Sequence, residues 1–279
     1  MNVPCGYPLY LFAGNSSAKE VQTKDDKINI TAKIFMSILY HIFCFIILIM
    51  KGIIFDFNGT LYWDSQLHYD AWREYSAMLR EKPFTDEEMR EKMFGHTNSD
   101  IIEYLIGKKP SKEMVDKYGK EKESVYRKRC LLEPDKFKLA PGAVELLDYL
   151  RENDIPRTIA TMSEWDNVEF YIKEFHLDKW FELDKIVYSD GTIPGKPAPD
   201  IFLIAAEKIG LEPKDCIVVE DAIAGIESAK SAGIGKIIAI ASLEPIEFYK
   251  KMSGLTQIIK NFYEFDKSLF QHSNSHIFI

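Results

Sequence analysis

The residues of this chain best suited to chemistry fall just past apolar runs. Asp56 and Asn58 follow Ile53–Phe55, Thr161 and Ser163 follow Ile159–Ala160, and Glu220 and Asp221 follow Cys216–Val219. Lys196 lies between the last two, in the stretch GKPAPD ahead of an apolar helical pattern. The set comprises three carboxylates, two hydroxyls and one ammonium, with neither Cys nor His among its ligand atoms. Hard oxygen donors in small number suit Mg²⁺, which keeps several waters and binds through one or two carboxylates plus a phosphate. A Lys ammonium and a Thr hydroxyl are the groups that would hold the remaining phosphate oxygens. A carboxylate attacks phosphorus only when its charge and the phosphate's are offset, as the ion and Lys196 together would do. Each residue alone also has an ordinary reading: an Asn-Gly turn, a surface Lys, a solvated helix start. Their recurrence at strand ends, in this order, points to one site.

The elements that must position these groups alternate regularly. Lys51–Asp56 has the apolar, β-branched character of a strand buried on both faces. From Ala140 onward PGAVELLDYLREN predicts a helix with Pro141 at its start, and IPRTIAT a short strand ending at Thr161. SEWDNVEFYIKEFHL, APDIFLIAAEKIG and AIAGIESAKSAG predict helices, with strands at KIVYSDG, CIVVED and KIIAIA. Strands alternating with helices imply right-handed crossovers and an α/β, doubly wound parallel sheet. Ligands bind beyond the carboxyl ends of such strands, where the polar groups above lie. Between the first strand and this repeat, residues 66–137 carry only helical patterns. TDEEMREKMFG opens with a capping pair, Thr85 and Glu88, and the charged run from Ser111 predicts one long helix or two. His68 there reads as a surface histidine, Gly95–Asn98 as a connection, and the Lys/Glu clusters from Lys108 to Lys128 as a solvated face.

The stretches FDFNGTL (55–61), IATMS (159–163), GKPAPDIF (195–202) and VVEDAIAGIESAKSAG (218–233) resemble the motifs of the haloacid dehalogenase-like (HAD) superfamily. Within it the similarity is to the beta-phosphoglucomutase and phosphoglycolate phosphatase-like branch, over about residues 50–241. The resemblance implies a Rossmannoid core, residues 50–65 and 138–267, and an inserted helical cap, residues 66–137, followed by a tail at 268–279. It implies a Mg²⁺-dependent phosphatase of a small phosphorylated metabolite, with Asp56 as the nucleophile that forms an aspartyl-phosphate. Asp56, Asp221 and the backbone carbonyl of Asn58 would hold the metal with help from Glu220. Thr161, Met162, Ser163 and Lys196 would bind the transferring phosphoryl group.

Two positions depart from that pattern. Asn58 stands where the family has a second Asp, which protonates the leaving oxygen and later activates water. Gly95–His96–Thr97–Asn98 stands where phosphomutase caps carry an Arg. His68 and Trp72 fall where such caps have a His and a Trp facing the site, which makes His68 a candidate substitute proton carrier. The alternatives are therefore a sugar-phosphate mutase, the dehalogenase and carbon–phosphorus cleavage reactions of the superfamily, and a weakly active HAD-fold phosphate-binding or regulatory protein.

The whole chain sets outer bounds. Its 279 residues, 46% apolar and 28% charged, suit a globular protein, and a formal charge of −8 argues against nucleic-acid binding. Four widely spaced Cys without a CxxC pair indicate neither a disulfide framework nor a zinc site, so a reducing, cytoplasmic compartment is expected; the chain is also expected to be a monomer. Residues 34–50 are uncharged and almost wholly apolar, at the lower limit for a membrane span. They lead into the first strand without a linker, so the catalytic unit is expected to begin at Met50. Residues 1–49 are then an extension from a start codon set too far upstream, with a membrane anchor as the alternative.

Overall fold

The computed structural model describes residues 50–93 and 98–270, together with Phe35. Residues 1–48 and 49–279 are separate units. The expectations for the apolar segment at 34–49, for the loop Gly95–Thr97 and for the end of the tail lie outside the described residues. Among those described, no helix is long and apolar enough to cross a membrane.

Strand β1 (Gly52–Phe55) is wholly buried and lies inside a parallel sheet with β2 (Arg157–Glu164), β3 (Val187–Ser189), β4 (Cys216–Glu220), β5 (Lys236–Ile240) and β6 (Gln257–Ile259). The order is β3-β2-β1-β4-β5-β6, so β1 sits between β2 and β4 at the reversal of strand order. Register aligns Phe55 with Ile159 on one side and Val219 on the other. The residues that follow, Asp56, Ala160 and Glu220, therefore share one level of the sheet's carboxyl edge. The Asp56 N–H fixes that level by donating to the Val219 carbonyl at 3.0 Å.

Between β1 and β2 come helices α1 (Ser65–Arg80), α2 (Asn98–Ile106), α3 (Lys112–Leu132) and α4 (Ala143–Glu152). Ahead of α2, Thr85 and Glu88 close the expected capping box around a short helical turn that continues as a π-turn at Met89–Met93. The charged run after Ser111 is one helix of 21 residues. The later helices are α5 (Trp165–Phe175), α6 (Asp200–Lys208), α7 (Ile223–Ser231) and the short α8 (Ile246–Tyr249).

Two boundaries differ from expectation. Helix α4 starts at Ala143, because Gly142 takes φ 81° and lies where a Cβ would be 2.5 Å from the Tyr263 nitrogen. Strand β2 runs on to Glu164, because its pairing with β3 resumes after a register shift between Ala160 and Glu164. An aromatic group of Phe57, Tyr62, Phe137, Tyr171 and Phe175 packs under the site, with Phe57 and Tyr171 stacked at 4.6 Å. Both described thiols are buried, Cys130 on α3 beside the Tyr62 hydroxyl and Cys216 on β4.

Candidate active site

The turn after β1 shapes the floor of the site. The Thr60 and Tyr62 N–H groups both donate to the Phe57 carbonyl, and Gly59 N–H donates to the Tyr62 carbonyl. Gly59 has φ 82°, and a Cβ there would lie 2.2 Å from Asp221 Oδ2, so position 59 needs glycine on both counts. The close approach seats Asp221 over the turn, where the Thr60 hydroxyl donates to its Oδ1 at 3.0 Å. Lys196, whose bond to Pro197 is cis, donates to Asp56 Oδ1 and to Glu220 Oε1, each at 2.6 Å. Glu220 Oε2 accepts from the Ala222 N–H at 2.7 Å, so both its oxygens are engaged.

Asp56, Glu220 and Asp221 are all buried and can bring one oxygen each within 4.8 Å of one another. Three buried carboxylates face one ammonium, a charge excess that a divalent cation would neutralise. Burial pushes the Asp56 carboxyl up to about 7, with Lys196 opposing the shift and Glu220 adding to it. Burial, then Glu220 and Asp56, raise Asp221 well above the ordinary carboxylate range. Burial opposes the Lys196 charge, but Asp56 and Glu220 outweigh it and hold the ammonium above the usual lysine value. The donor set fits a hard cation. Asp56 Oδ2 and Asp221 Oδ2 would be its ligands, and none of the turn's backbone bonds ends on the Asn58 carbonyl. Glu220 is committed to holding Lys196.

The Asn58 side chain is fixed at both ends. Its Nδ2 donates to Asp64 Oδ2 at 2.6 Å and to the Tyr171 hydroxyl at 2.8 Å. Its Oδ1 accepts from Ser163 Oγ at 2.7 Å and Thr161 Oγ1 at 3.3 Å. Asp64, 1% exposed, also accepts on Oδ2 from the Tyr126 hydroxyl at 2.6 Å and lies 3.2 Å from His68 Nε2. Burial works against its charge, but His68, Tyr126 and Asn58 together keep it below the usual carboxylate value. Lys122 Nζ stands 3.2 Å from His68 Nδ1. An ammonium only donates, so Nδ1 accepts and Nε2 carries the proton directed at Asp64. The imidazole stacks on Tyr126 at 3.8 Å with the rings nearly parallel.

Asp64 and Lys122 are the residues that sequence reasoning missed. Asp64 stands at the N-cap of α1 but makes no capping bond, its carboxylate being turned inward. Its one signal was the i,i+4 spacing to His68. Lys122 and Glu123 do not belong to a solvated face: Lys122 is 2% exposed, pairs with Glu123 and lies over the Trp72 ring at 5.2 Å. Trp72 is buried beneath that ammonium and does not face the cleft.

The cleft above the turn has a volume of about 480 Å³. Asp56, Asn58, Thr161, Met162, Ser163, Lys196, Glu220 and Asp221 lie along its sheet side. His68, Asn98, Lys120, Glu123 and Arg127 approach from the inserted helices. Asp56, Asn58, His68, Thr161, Met162, Ser163, Lys196, Glu220 and Asp221 thus border one cavity, and Trp72 does not.

A family model described as haloacid dehalogenase-like hydrolase matches residues 50–233. The chain belongs to that family. The matched span of this HAD-like hydrolase runs from β1 to the end of α7 and includes every candidate residue. A solved HAD hydrolase of family IA, variant 3, from Entamoeba histolytica is 41% identical, with TM-score 0.74 over 79% of this chain and 97% of that one. A phosphorylated carbohydrates phosphatase from Thermotoga maritima is 27% identical over 68% of this chain and 85% of its own length. A beta-phosphoglucomutase from Bacillus subtilis is 30% identical over 66% of this chain and 81% of its own.

Proposed function

We propose that this HAD-like hydrolase is a Mg²⁺-dependent phosphatase of a small phosphorylated metabolite, working through an aspartyl-phosphate at Asp56. The observation that carries the reading is the pairing of Asp56 Oδ1 with Lys196 at the end of β1, beside two further buried carboxylates. Asp56 Oδ2 would serve the ion and Oδ1 would attack phosphorus, with Lys196, which donates to Oδ1, passing to the phosphoryl oxygens. Thr161, Ser163 and the Met162 segment between them border the place where the phosphoryl oxygens would sit, with Lys196 opposite. Asp56, Asp221 and the Asn58 carbonyl would hold Mg²⁺, with Glu220 acting through Lys196; the ion would supply charge neutralisation for the incoming phosphate. Covalent transfer to Asp56 divides the hydrolysis into two displacements. The similarity to a phosphatase named for phosphorylated carbohydrates supports a small phosphorylated metabolite.

The similarity to a beta-phosphoglucomutase supports a second reading, in which Asp56 returns the phosphoryl group to a sugar hydroxyl instead of to water. Phosphate release from a panel of phosphorylated metabolites, with and without Mg²⁺, tests the first reading. Release is expected only with the metal, and an isomerised sugar phosphate without free phosphate would indicate the mutase. Asp56→Asn is expected to lower turnover at least about a thousandfold, a conservative share of what removing a nucleophile costs. An Asp56→Ala protein within about tenfold of wild type would rule the mechanism out.

A further inference from the structure

We propose that the substrate of this site is a phosphorylated acid, meaning an acyl phosphate or an aryl or enol phosphate, whose leaving group departs without receiving a proton. The inference rests on the phosphatase reading above and adds the chemical class of the leaving group.

Around position 58, the side chains of Asp64, His68, Tyr126, Tyr171, Thr161 and Ser163 are each engaged with one another, with Asn58 or with Lys122. Asn58 cannot titrate, and its amide is oriented by four hydrogen bonds, with Nδ2 facing Asp64 and Tyr171 and Oδ1 facing Ser163 and Thr161. His68 has Nε2 against Asp64 and Nδ1 against Lys122. The Tyr126 and Tyr171 hydroxyls lie 2.9 Å apart, within a chain that begins at Asn58 Nδ2 and ends on Asp64. Asp64 only accepts in this arrangement, its Oδ2 facing Asn58 Nδ2, the Tyr126 hydroxyl and His68 Nε2. The hydroxyls of Thr161 and Ser163 direct their protons to Asn58. The arrangement fixes Asn58 from both ends, which makes it a rigid support for the turn. It offers no acid to a departing alkoxide.

The chemistry balances without one. In the first step an oxygen of Asp56 forms a bond to phosphorus, and the bond from phosphorus to the leaving oxygen breaks with its electron pair. The product leaves as a carboxylate, phenolate or enolate. In the second step a water oxygen bonds to phosphorus, and the bond to Asp56 breaks with its electrons returning to the carboxylate. The water's two protons stay with the products, giving dihydrogen phosphate at the moment of release. An aspartyl-phosphate is itself an acyl phosphate, so its hydrolysis belongs to the class this site can handle. A loose transition state asks little deprotonation of the attacking water. An alkyl ester would have to expel an alkoxide unaided, forgoing the 10²–10⁴-fold that a positioned acid typically gives.

The test compares kcat/KM, with Mg²⁺ present, for acetyl phosphate, a series of substituted phenyl phosphates and glycerol 3-phosphate. The expected result is a steep fall as the leaving group becomes more basic, with acetyl phosphate at least about a hundredfold above the alkyl ester. A paired exchange, Asn58→Asp with Asp64→Asn, moves the carboxylate to position 58 without creating a second one 2.6 Å away. It should raise the alkyl-to-acyl ratio at least about tenfold, a low share of the acid's worth. Should the exchanged protein fail to fold, the wild-type series decides alone. Alkyl turnover equal to that of acetyl phosphate, with a flat series, would overturn the inference and leave the phosphatase reading intact. So would efficient alkyl turnover lost in His68→Ala or His96→Ala. If neither class releases phosphate, the phosphatase reading falls and this inference with it.

Discussion

Asp56 sits where its charge is costly until a cation or a phosphoryl group joins it. Burial raises its carboxyl to about 7, above the ordinary value of 3.8, with Lys196 pulling the other way. A group whose folded value exceeds its unfolded one binds its proton more tightly in the folded state. Its contribution to stability is complete below about 4 and is lost as pH rises through about 7. The metal-free protein is therefore expected to lose thermal stability between these pH values. Added Mg²⁺ should restore it more at pH 8 than at pH 5, by a difference on the order of 5 °C. Melting curves at both pH values, with EDTA and with excess Mg²⁺, measure this. An equal Mg²⁺ effect at the two values would remove the link to these carboxylates.

At the scale of elements, the inserted helices are fastened to the sheet's own helices by a few polar side chains. Asn167 on α5 is the centre of one such fastening. Its Nδ2 donates to Glu123 Oε2 at 2.8 Å and its Oδ1 accepts from Arg127 Nη1 at 2.7 Å, both residues belonging to α3. Asn167→Ala removes two bonds to charged partners, and about 1.5–3 kcal/mol of stability is expected to go with them. Because Glu123 and Arg127 border the cleft, KM should rise more than kcat falls. Urea unfolding and steady-state kinetics on the same variant give both numbers.

The strand ends were legible because a short, β-branched apolar run closed by small polar residues is what a buried parallel strand requires, and the parallel order followed from the alternation. Asp56, Thr161 and Asp221 were legible for that reason, and Lys196 through the GKPAPD stretch ahead of a helical pattern. What escaped was decided by packing across long sequence distances. A lone Asp before a helix reads as a cap, and nothing local says that Asp64 turns its carboxylate toward Asn58 and Tyr126. A Lys in a charged run reads as solvated, until Trp72 and His68 from another helix close over Lys122. The start of α4 moved for a similar cause, since Gly142 meets the backbone near Tyr263 only in the folded chain.

At the scale of the molecule, β1 is anchored from outside its own sheet neighbours. The Met50 N–H donates to the Leu269 carbonyl at 3.1 Å, Lys51 N–H donates to the Asp215 carbonyl at 2.8 Å, and the Met50 side chain is buried. These contacts lie wholly within residues 50–270. A chain beginning at Met50 is expected to be monodisperse and at least as active as the 279-residue protein, by gel filtration and phosphate release. A Met50 chain that aggregates, while the longer one does not, would show that the preceding residues are needed.

That shorter chain would retain two cysteines, Cys130 and Cys216, one on the inserted helix α3 and one on the central strand β4. Burial raises the Cys130 thiol to about 11 and the Cys216 thiol to about 12, so in the folded state neither supplies the thiolate that alkylating reagents consume. Each becomes a clock for the opening of its own region. If the helical insert loosens before the sheet, iodoacetamide should modify Cys130 at denaturant concentrations where Cys216 is still protected. If the two parts unfold as one, peptide mass mapping should find both sulfurs labelled in step.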